Sequence, residues 1–167
     1  MQSRRRIDQV LDPEFVSDVA DLDLDEVRAR RSLAGEVENE LSYYRRLLHG
    51  RMDLIRFELR RRAGEETRSL IEALPEILAD PEPTGNHRTG RYEVPDLPML
   101  PDVGKREIDH ILGGDVLLRL NELDDEALSS ALDAISEMEV EISDQRKSVQ
   151  QVEDRLVEEL AARYRVS

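Results

Sequence analysis

Two long segments of the chain repeat apolar side chains at steps of three and four residues, and this pattern constrains the fold most strongly. In the first segment the repeating positions are Ala34, Val37, Leu41, Tyr44, Leu48, Met52, Ile55 and Leu59. In the second they are Leu128, Leu132, Ile135, Met138, Ile142, Gln145, Val149, Val152, Leu156 and Leu160, with Gln145 as a polar member. Such steps place every member on one face of an α-helix, as in helices that pair as a coiled coil.

The two segments also have the capping residues and charges of helices that pair with each other. We predict long helices over residues 23–63 and 124–167, with Asp23 and Asp124 as their N-caps. The first segment has a net positive charge and the second a net negative charge, which favours their mutual attraction. The sequence therefore predicts an all-α fold, an antiparallel coiled-coil hairpin of two long helices.

The remaining residues are expected to form an arm and a connector. In the N-terminal arm, residues 1–22, Pro13 limits any helix, and we expect a partner to order this segment. The connector, residues 64–123, is rich in Pro and Gly and should contain short helices. These short helices are predicted at 67–78, where Pro75 is unfavourable, at 106–112 and at 115–123.

The overall charge indicates what the chain can bind. With 24 basic and 38 acidic residues, its formal net charge is −14. Nucleic acids and anionic membranes should repel such a surface, so we expect no direct DNA binding and a basic protein partner instead. No apolar run approaches the roughly 20 residues of a membrane span, and the expected location is the cytoplasm.

Several kinds of chemistry lack the residues that they need. The absence of cysteine excludes disulfides, thiolate zinc sites and cysteine nucleophiles. His49, His87 and His110 are too far apart in sequence to indicate a metal site. Ser143 has no neighbouring histidine that could act as its base. We therefore expect neither a metal ion nor catalysis.

A polar motif with the spacing Glu-x3-Ser-x2-Arg-x3-(Gln or His)-x3-Asp occurs once in each long segment. The first copy is Glu38, Ser42, Arg45, His49 and Asp53, and the second is Glu139, Ser143, Arg146, Gln150 and Asp154. At about 100° per residue, the five side chains of each copy project within a sector of about 80°. Each copy is thus a polar stripe that flanks the apolar face of its helix.

The position and chemistry of the stripes suggest a symmetric ligand. Antiparallel pairing would bring the helix centres level, so that Arg45 lies opposite the region of Arg146. The N7 and O6 atoms of guanine suit a guanidinium fork, and its N1–H and N2–H₂ groups suit a carboxylate. Arg46, Arg51 and Lys147 are close enough in sequence to offset phosphate charge. The sequence therefore favours a guanine nucleotide, either symmetric or bound as two copies.

The repeated spacing resembles the RsiG family of actinobacterial anti-sigma factors. The second copy matches the family motif at all five positions, and the first departs where His49 replaces the expected glutamine. The resemblance implies that the two stripes together bind a dimer of cyclic di-GMP. It also implies that the loaded protein holds the sporulation sigma factor WhiG inactive. The resemblance says little about the roles of residues 1–22 and 64–123.

A simpler interpretation is that both stripes are solvated helix faces with intrahelical Glu–Arg pairs. The chain would then be a structural coiled-coil adaptor without a nucleotide ligand. An enzyme is the least favoured alternative, because the stripes indicate no sheltered pocket. A change in thermal stability on addition of cyclic di-GMP distinguishes the first two interpretations, since a specific ligand stabilises the folded state.

Overall fold

The computed structural model describes residues 5–79 and 119–166. Its helices are α1 (Arg6–Val10), α2 (Glu14–Ser17), α3 (Leu24–Arg62), α4 (Leu70–Ile77) and α5 (Asp125–Val166). Helices make up 80% of the described part of the chain, which contains no strand, and the all-α prediction is confirmed. The Pro/Gly-rich part of the predicted connector, with the short helices at 106–112 and most of 115–123, lies outside the described residues.

Both long helices begin where the sequence predicts. The Asp23 carboxylate accepts a hydrogen bond from the backbone N–H of Glu26 at 2.8 Å, and the Asp124 carboxylate accepts one from that of Ala127 at 2.7 Å. Each aspartate satisfies an N–H group of the first turn that has no partner within the helix. The two predicted N-caps are therefore confirmed.

The shorter α4 begins later than predicted for residues 67–78. Its N-cap is Ser69, which exchanges hydrogen bonds with Glu72 in a capping box. Pro75 lies inside the helix, where it cannot donate a backbone hydrogen bond, the unfavourable position noted from the sequence. Neither α3 nor α5, nor any shorter helix of the described segments, has an apolar stretch long enough to cross a membrane.

The chain divides into two compact units, and α3 and α5 contribute to both. The first unit comprises Met1–Arg46 and Glu137–Ser167, and the second comprises Leu47–Ser136. The site discussed below depends mainly on the first unit.

In the first unit the segments of α3 and α5 run antiparallel. Arg45 contacts Glu139, whereas Arg28, near the start of α3, contacts Tyr164 near the end of α5. The apolar side chains buried between them include residues at steps of seven, the repeat of a coiled coil. These residues are Val27, Ala34 and Leu41 on α3, and Ile142, Val149 and Leu156 on α5.

The N-terminal arm also belongs to the first unit, where it packs against α3. Val10, Phe15 and Val19 are buried, with exposed fractions of 0, 7 and 3%. The Arg30 guanidinium lies 5.4 Å from the centroid of the Phe15 ring and donates a hydrogen bond to the Phe15 carbonyl at 2.7 Å. Pro13 separates α1 from α2. The arm that we expected a partner to order is therefore in contact with its own chain through apolar burial.

The second unit has its own core. Ser136 donates a hydrogen bond to the sulfur of Met52 at 3.3 Å, and Arg62 pairs with Asp125, so the helices are antiparallel here too. The buried members of the predicted apolar stripes are Leu48, Met52, Ile55, Leu128 and Ile135. Further buried residues lie off the predicted stripe or outside the long helices, namely Leu54, Phe57, Ala73 and Leu120. The core of this unit is consequently wider than a two-helix seam.

An arginine joins the end of α3 to the segment that leads into α5. The Arg62 guanidinium donates hydrogen bonds to the carbonyls of Leu120 and Leu123, both at 2.7 Å. It also pairs with Asp125 at 2.9 Å and with the buried carboxylate of Glu58 at 2.9 Å. Arginine suits this position because its planar group carries five N–H donors.

The end of α5 repeats the carbonyl and glutamate contacts of Arg62 within the first unit. Arg163 donates hydrogen bonds to the carbonyls of Val19, at 2.9 Å, and Leu22, at 2.7 Å, and it pairs with Glu159 at 2.7 Å. Every one of these residues lies 101 positions from its counterpart around Arg62. The contact pattern is therefore repeated within the chain.

The repeat extends well beyond the five-residue motif. Residues 19–62 align without a gap with residues 120–163, and eleven of the 44 aligned pairs are identical. The identical residues of the first copy are Leu22, Asp23, Glu36, Glu38, Glu40, Ser42, Arg45, Asp53, Glu58, Leu59 and Arg62. The chain thus contains two copies of one helical module.

We predict that Arg62→Ala and Arg163→Ala each lower the melting temperature by several degrees, because each leaves backbone carbonyls without a charged donor. The two losses should be similar, since both arginines bind two carbonyls and one glutamate at corresponding positions, although Arg62 also pairs with an aspartate, Asp125. The control is Arg155→Ala, whose side chain is 63% exposed and makes a single 4.0 Å pair. Thermal unfolding followed by circular dichroism measures all three, and a wild-type melting temperature for both variants would contradict the assigned role.

Candidate functional site

Two ion pairs cross between the motifs in the first unit. Arg146 Nε donates to Glu38 Oε1 at 2.8 Å, and Arg45 Nε donates to Glu139 Oε1 at 3.3 Å. Arg146 Nε also lies 2.7 Å from the Ser42 hydroxyl oxygen. The arginine of each motif therefore pairs with the glutamate of the other, and the two pairs are reciprocal.

Shorter bonds within each helix complete the network. Ser42 donates to Glu38 Oε1 at 2.9 Å, and Ser143 donates to Glu139 Oε1 at 2.7 Å. Both bonds join side chains four residues apart, which are neighbours on one helix face. Gln150 Nε2 donates to Glu38 Oε1 at 3.3 Å. The Glu38 oxygen thus accepts hydrogen bonds from a hydroxyl, an amide and a guanidinium.

The charged groups of the network are sheltered without being sealed from solvent. The exposed fractions of the side chains are 16% for Glu38, 24% for Arg146, 19% for Glu139 and 32% for Arg45. Partial exclusion of water strengthens their electrostatic interactions relative to a fully exposed pair. A ligand could still reach these groups from solvent. The arrangement can offer alternating guanidinium donors and carboxylate acceptors to a polar ligand.

Three predicted site residues are not joined to the network by the contacts described above. Asp154 is exposed on α5 in the first unit. Asp53 and His49 belong to the second unit, where Asp53 pairs with Arg56 at 3.4 Å and His49 is half-buried. His87 and His110, considered above as metal ligands, lie outside the described residues.

Glu153 is a residue at this face of α5 that the motif does not include. A Cβ atom at Gly35 would lie 3.5 Å from Glu153 Oε1, so this carboxylate faces α3. Burial raises the pKa of Glu153, and the charge of Glu38 raises it further, whereas Arg31 opposes the shift. Its spacing of seven residues from Arg146 could have indicated this position in the sequence.

We predict that Glu153→Gln raises the melting temperature at pH 7. The pKa of Glu153 is raised above its ordinary value of 4.5, so the folded state disfavours the charged carboxylate that exists at neutral pH. As the pH falls below about 4, the carboxyl becomes protonated in both folded and unfolded chains, and the advantage of the variant should vanish.

Thermal unfolding of both proteins between about pH 3.5 and pH 8 measures this difference. The control is Glu158→Gln on the same helix, because the Glu158 side chain is 73% exposed and should give little change. A melting temperature of Glu153→Gln at or below that of the wild type at pH 7 would show that Glu153 is not destabilising.

The fold and the network define an all-helical protein whose paired helices present two equivalent polar motifs. The RsiG-like family model matches residues 13–78, and this match confirms the resemblance to that family. It includes α2, α3 and α4 with the first motif, whereas α5 and the second motif lie beyond it. A comparison with curated proteins found no match.

Proposed function

We propose that this chain is a non-catalytic anti-sigma factor of the cytoplasm that binds a dimer of cyclic di-GMP on its two motif stripes. When loaded, it sequesters a sporulation sigma factor of the WhiG type. The observation that carries the proposal is the reciprocal pairing of Arg146 with Glu38 and of Arg45 with Glu139. The family match over residues 13–78 supports the anti-sigma class.

The network supplies the groups that guanine recognition requires. A guanidinium can donate two parallel hydrogen bonds to N7 and O6, and a carboxylate can accept from N1–H and N2–H₂. Within the protein, Glu38 and Glu139 accept hydrogen bonds from the arginines, so guanine binding would exchange one set of hydrogen bonds for another. Such an exchange costs less than desolvating unpaired charges, because every group keeps a partner.

The ligand charge also has to be balanced on an acidic protein. Two cyclic di-GMP molecules carry about four negative phosphate charges, which favour charge-assisted hydrogen bonds with arginine and lysine. Arg45 and Arg146 are in the network, and the residues that follow them, Arg46 and Lys147, are exposed. In each copy, a second basic residue therefore directly follows the arginine of the motif.

A sigma factor is a suitable partner for the protein surface. The surfaces with which sigma factors bind polymerase and promoter tend to be basic, and this chain has a net charge of −14. Opposite charges would accelerate the encounter and orient the two proteins. A sigma factor that covers the loaded site would also add basic groups near the phosphates. This second effect would make ligand binding and sigma factor binding mutually favourable.

We predict that Arg146→Ala and Arg45→Ala each weaken cyclic di-GMP binding by roughly 10- to 150-fold, the loss expected for one charge-assisted hydrogen-bonding group. Arg146→Lys should retain the charge but also bind weakly, because an ammonium cannot form the bidentate contact. His49→Ala should change the affinity least among substitutions in the motifs. Isothermal titration calorimetry measures these affinities.

The control for this series is Arg155→Ala, which removes an exposed arginine of α5 outside the motif. Circular dichroism must give wild-type helicity for each variant, since Arg45 and Arg146 also pair across the helices. Wild-type affinity in both Arg146→Ala and Arg45→Ala would exclude the stripes as the nucleotide site.

We predict positive coupling between the two ligands. Saturating cyclic di-GMP should raise the affinity for a WhiG-type sigma factor, and the sigma factor should raise the affinity for cyclic di-GMP by the same factor. Titrations of sigma factor with and without the nucleotide measure both directions. An affinity for the sigma factor that does not depend on the nucleotide would disprove the gating mechanism, even if both bind.

A second candidate function is a structural coiled-coil adaptor without a nucleotide. The observation that favours it is that Glu38 and Glu139 already have partners within the protein. Under this alternative the network serves only to fix the pairing of the helices. Cyclic di-GMP would then leave the melting temperature unchanged, whereas a specific ligand raises it in proportion to its concentration relative to its dissociation constant.

A further inference from the structure

Because the two copies of the module align, each contact in one copy can be compared with the aligned residues of the other. At the same offset of 101, the arm aligns with residues that include further identical pairs, such as Ile7 with Ile108 and Asp8 with Asp109. At some positions both copies keep a charged residue, but only the first copy keeps the oppositely charged residue that pairs with it. One such place lies on the outer face of α5.

In the first copy, an arginine of the arm bridges two glutamates of α3. Arg6 Nη1 pairs with Glu40 at 2.6 Å, and Arg6 Nη2 pairs with Glu36. The two glutamates are four residues apart and therefore adjacent on the helix surface. One guanidinium fork is thus held by two carboxylates, an arrangement that suits its planar set of donors.

The second copy keeps both glutamates, as Glu137 and Glu141, but not the arginine. The residue aligned with Arg6 is Glu107. Both glutamates are exposed on α5. Within residues 5–79 and 119–166, no arginine or lysine pairs with either one, and Glu141 accepts a 3.4 Å hydrogen bond from Gln145.

Among the described residues, this acidic pair has no basic partner to offset its repulsion. Like charges four residues apart on a helix destabilise it, and the pair in the first copy avoids this cost through Arg6. Val140, three residues after Glu137 on the helix, is 57% exposed. This part of α5 thus combines a carboxylate pair that has no basic partner among the described residues with a nearby exposed apolar side chain, and an arginine with its methylene stem can contact both.

We infer that Glu137 and Glu141 form a docking point for an arginine of the protein partner. The arginine of the partner binds there as Arg6 binds to Glu36 and Glu40, and its methylene groups lie on Val140. This inference rests on the proposed function for the identity of the partner, a sigma factor. It adds a contact outside the ligand-binding motifs, on a surface that the nucleotide does not need.

The test compares two double variants of the full chain. Glu137→Gln/Glu141→Gln removes the proposed docking charges, and Glu36→Gln/Glu40→Gln is the matched control that removes the pair already occupied by Arg6. In saturating cyclic di-GMP, the first variant should bind a WhiG-type sigma factor about tenfold more weakly than wild type, and its affinity should depend less on salt. The control should retain an affinity within about threefold of wild type.

The two double variants should also differ in melting temperature, and here the control should be the one that loses more. Glu36→Gln/Glu40→Gln should melt lower, because the arm loses its bridging contact, whereas Glu137→Gln/Glu141→Gln should melt at or above wild type, because a like-charge pair is removed. Wild-type sigma affinity in Glu137→Gln/Glu141→Gln overturns the inference while leaving the proposed function intact. If the wild-type protein does not bind the sigma factor at all, the proposed function and this docking point both fail.

Discussion

The reciprocal pairing of Arg146 with Glu38 and of Arg45 with Glu139 is the interaction on which the site depends. Half-buried charges that lack a partner are costly, so each pair favours the register in which all four groups are satisfied. A shift of one helix turn would separate both pairs at once. The apolar contacts stabilise the pairing of the helices but select one register less strongly than the ion pairs do. Similar apolar side chains recur every seven residues, so a shifted register could still bury them.

In the proposed function, the same pairing would satisfy the charged groups of the site until a nucleotide replaces it. Glu38 accepts hydrogen bonds from Ser42, Arg146 and Gln150, so its carboxylate has partners within the protein. A nucleotide with matching donors and acceptors can replace these bonds group for group. A polyphosphate without the guanine donors would leave the two glutamates facing anionic oxygens. In the proposed function, the internal network thereby contributes to specificity for guanine.

The two copies of the module share the contacts of their terminal arginines although their sequences have diverged. Arg62 and Arg163 bind corresponding carbonyls, although only eleven of the 44 aligned residues are identical. The conserved pairs are mainly caps, end contacts and motif residues, whereas the apolar positions tolerate exchange, as at Leu41 and Ile142. Polar contacts need a particular donor and acceptor geometry, while an apolar position needs only suitable volume.

The helices, their N-caps at Asp23 and Asp124, and the face that each long helix buries are predictable from the amino-acid sequence. These features depend on local periodicity and on side chains next to the backbone groups that they cap. The same periodicity predicts one stripe for the five motif residues of each copy. The folded chain was needed to find that Arg163 binds the carbonyls of Val19 and Leu22, and that Glu153 faces Gly35. Periodicity indicates which side of a helix is buried, but it does not indicate which residue of a distant segment lies across from it.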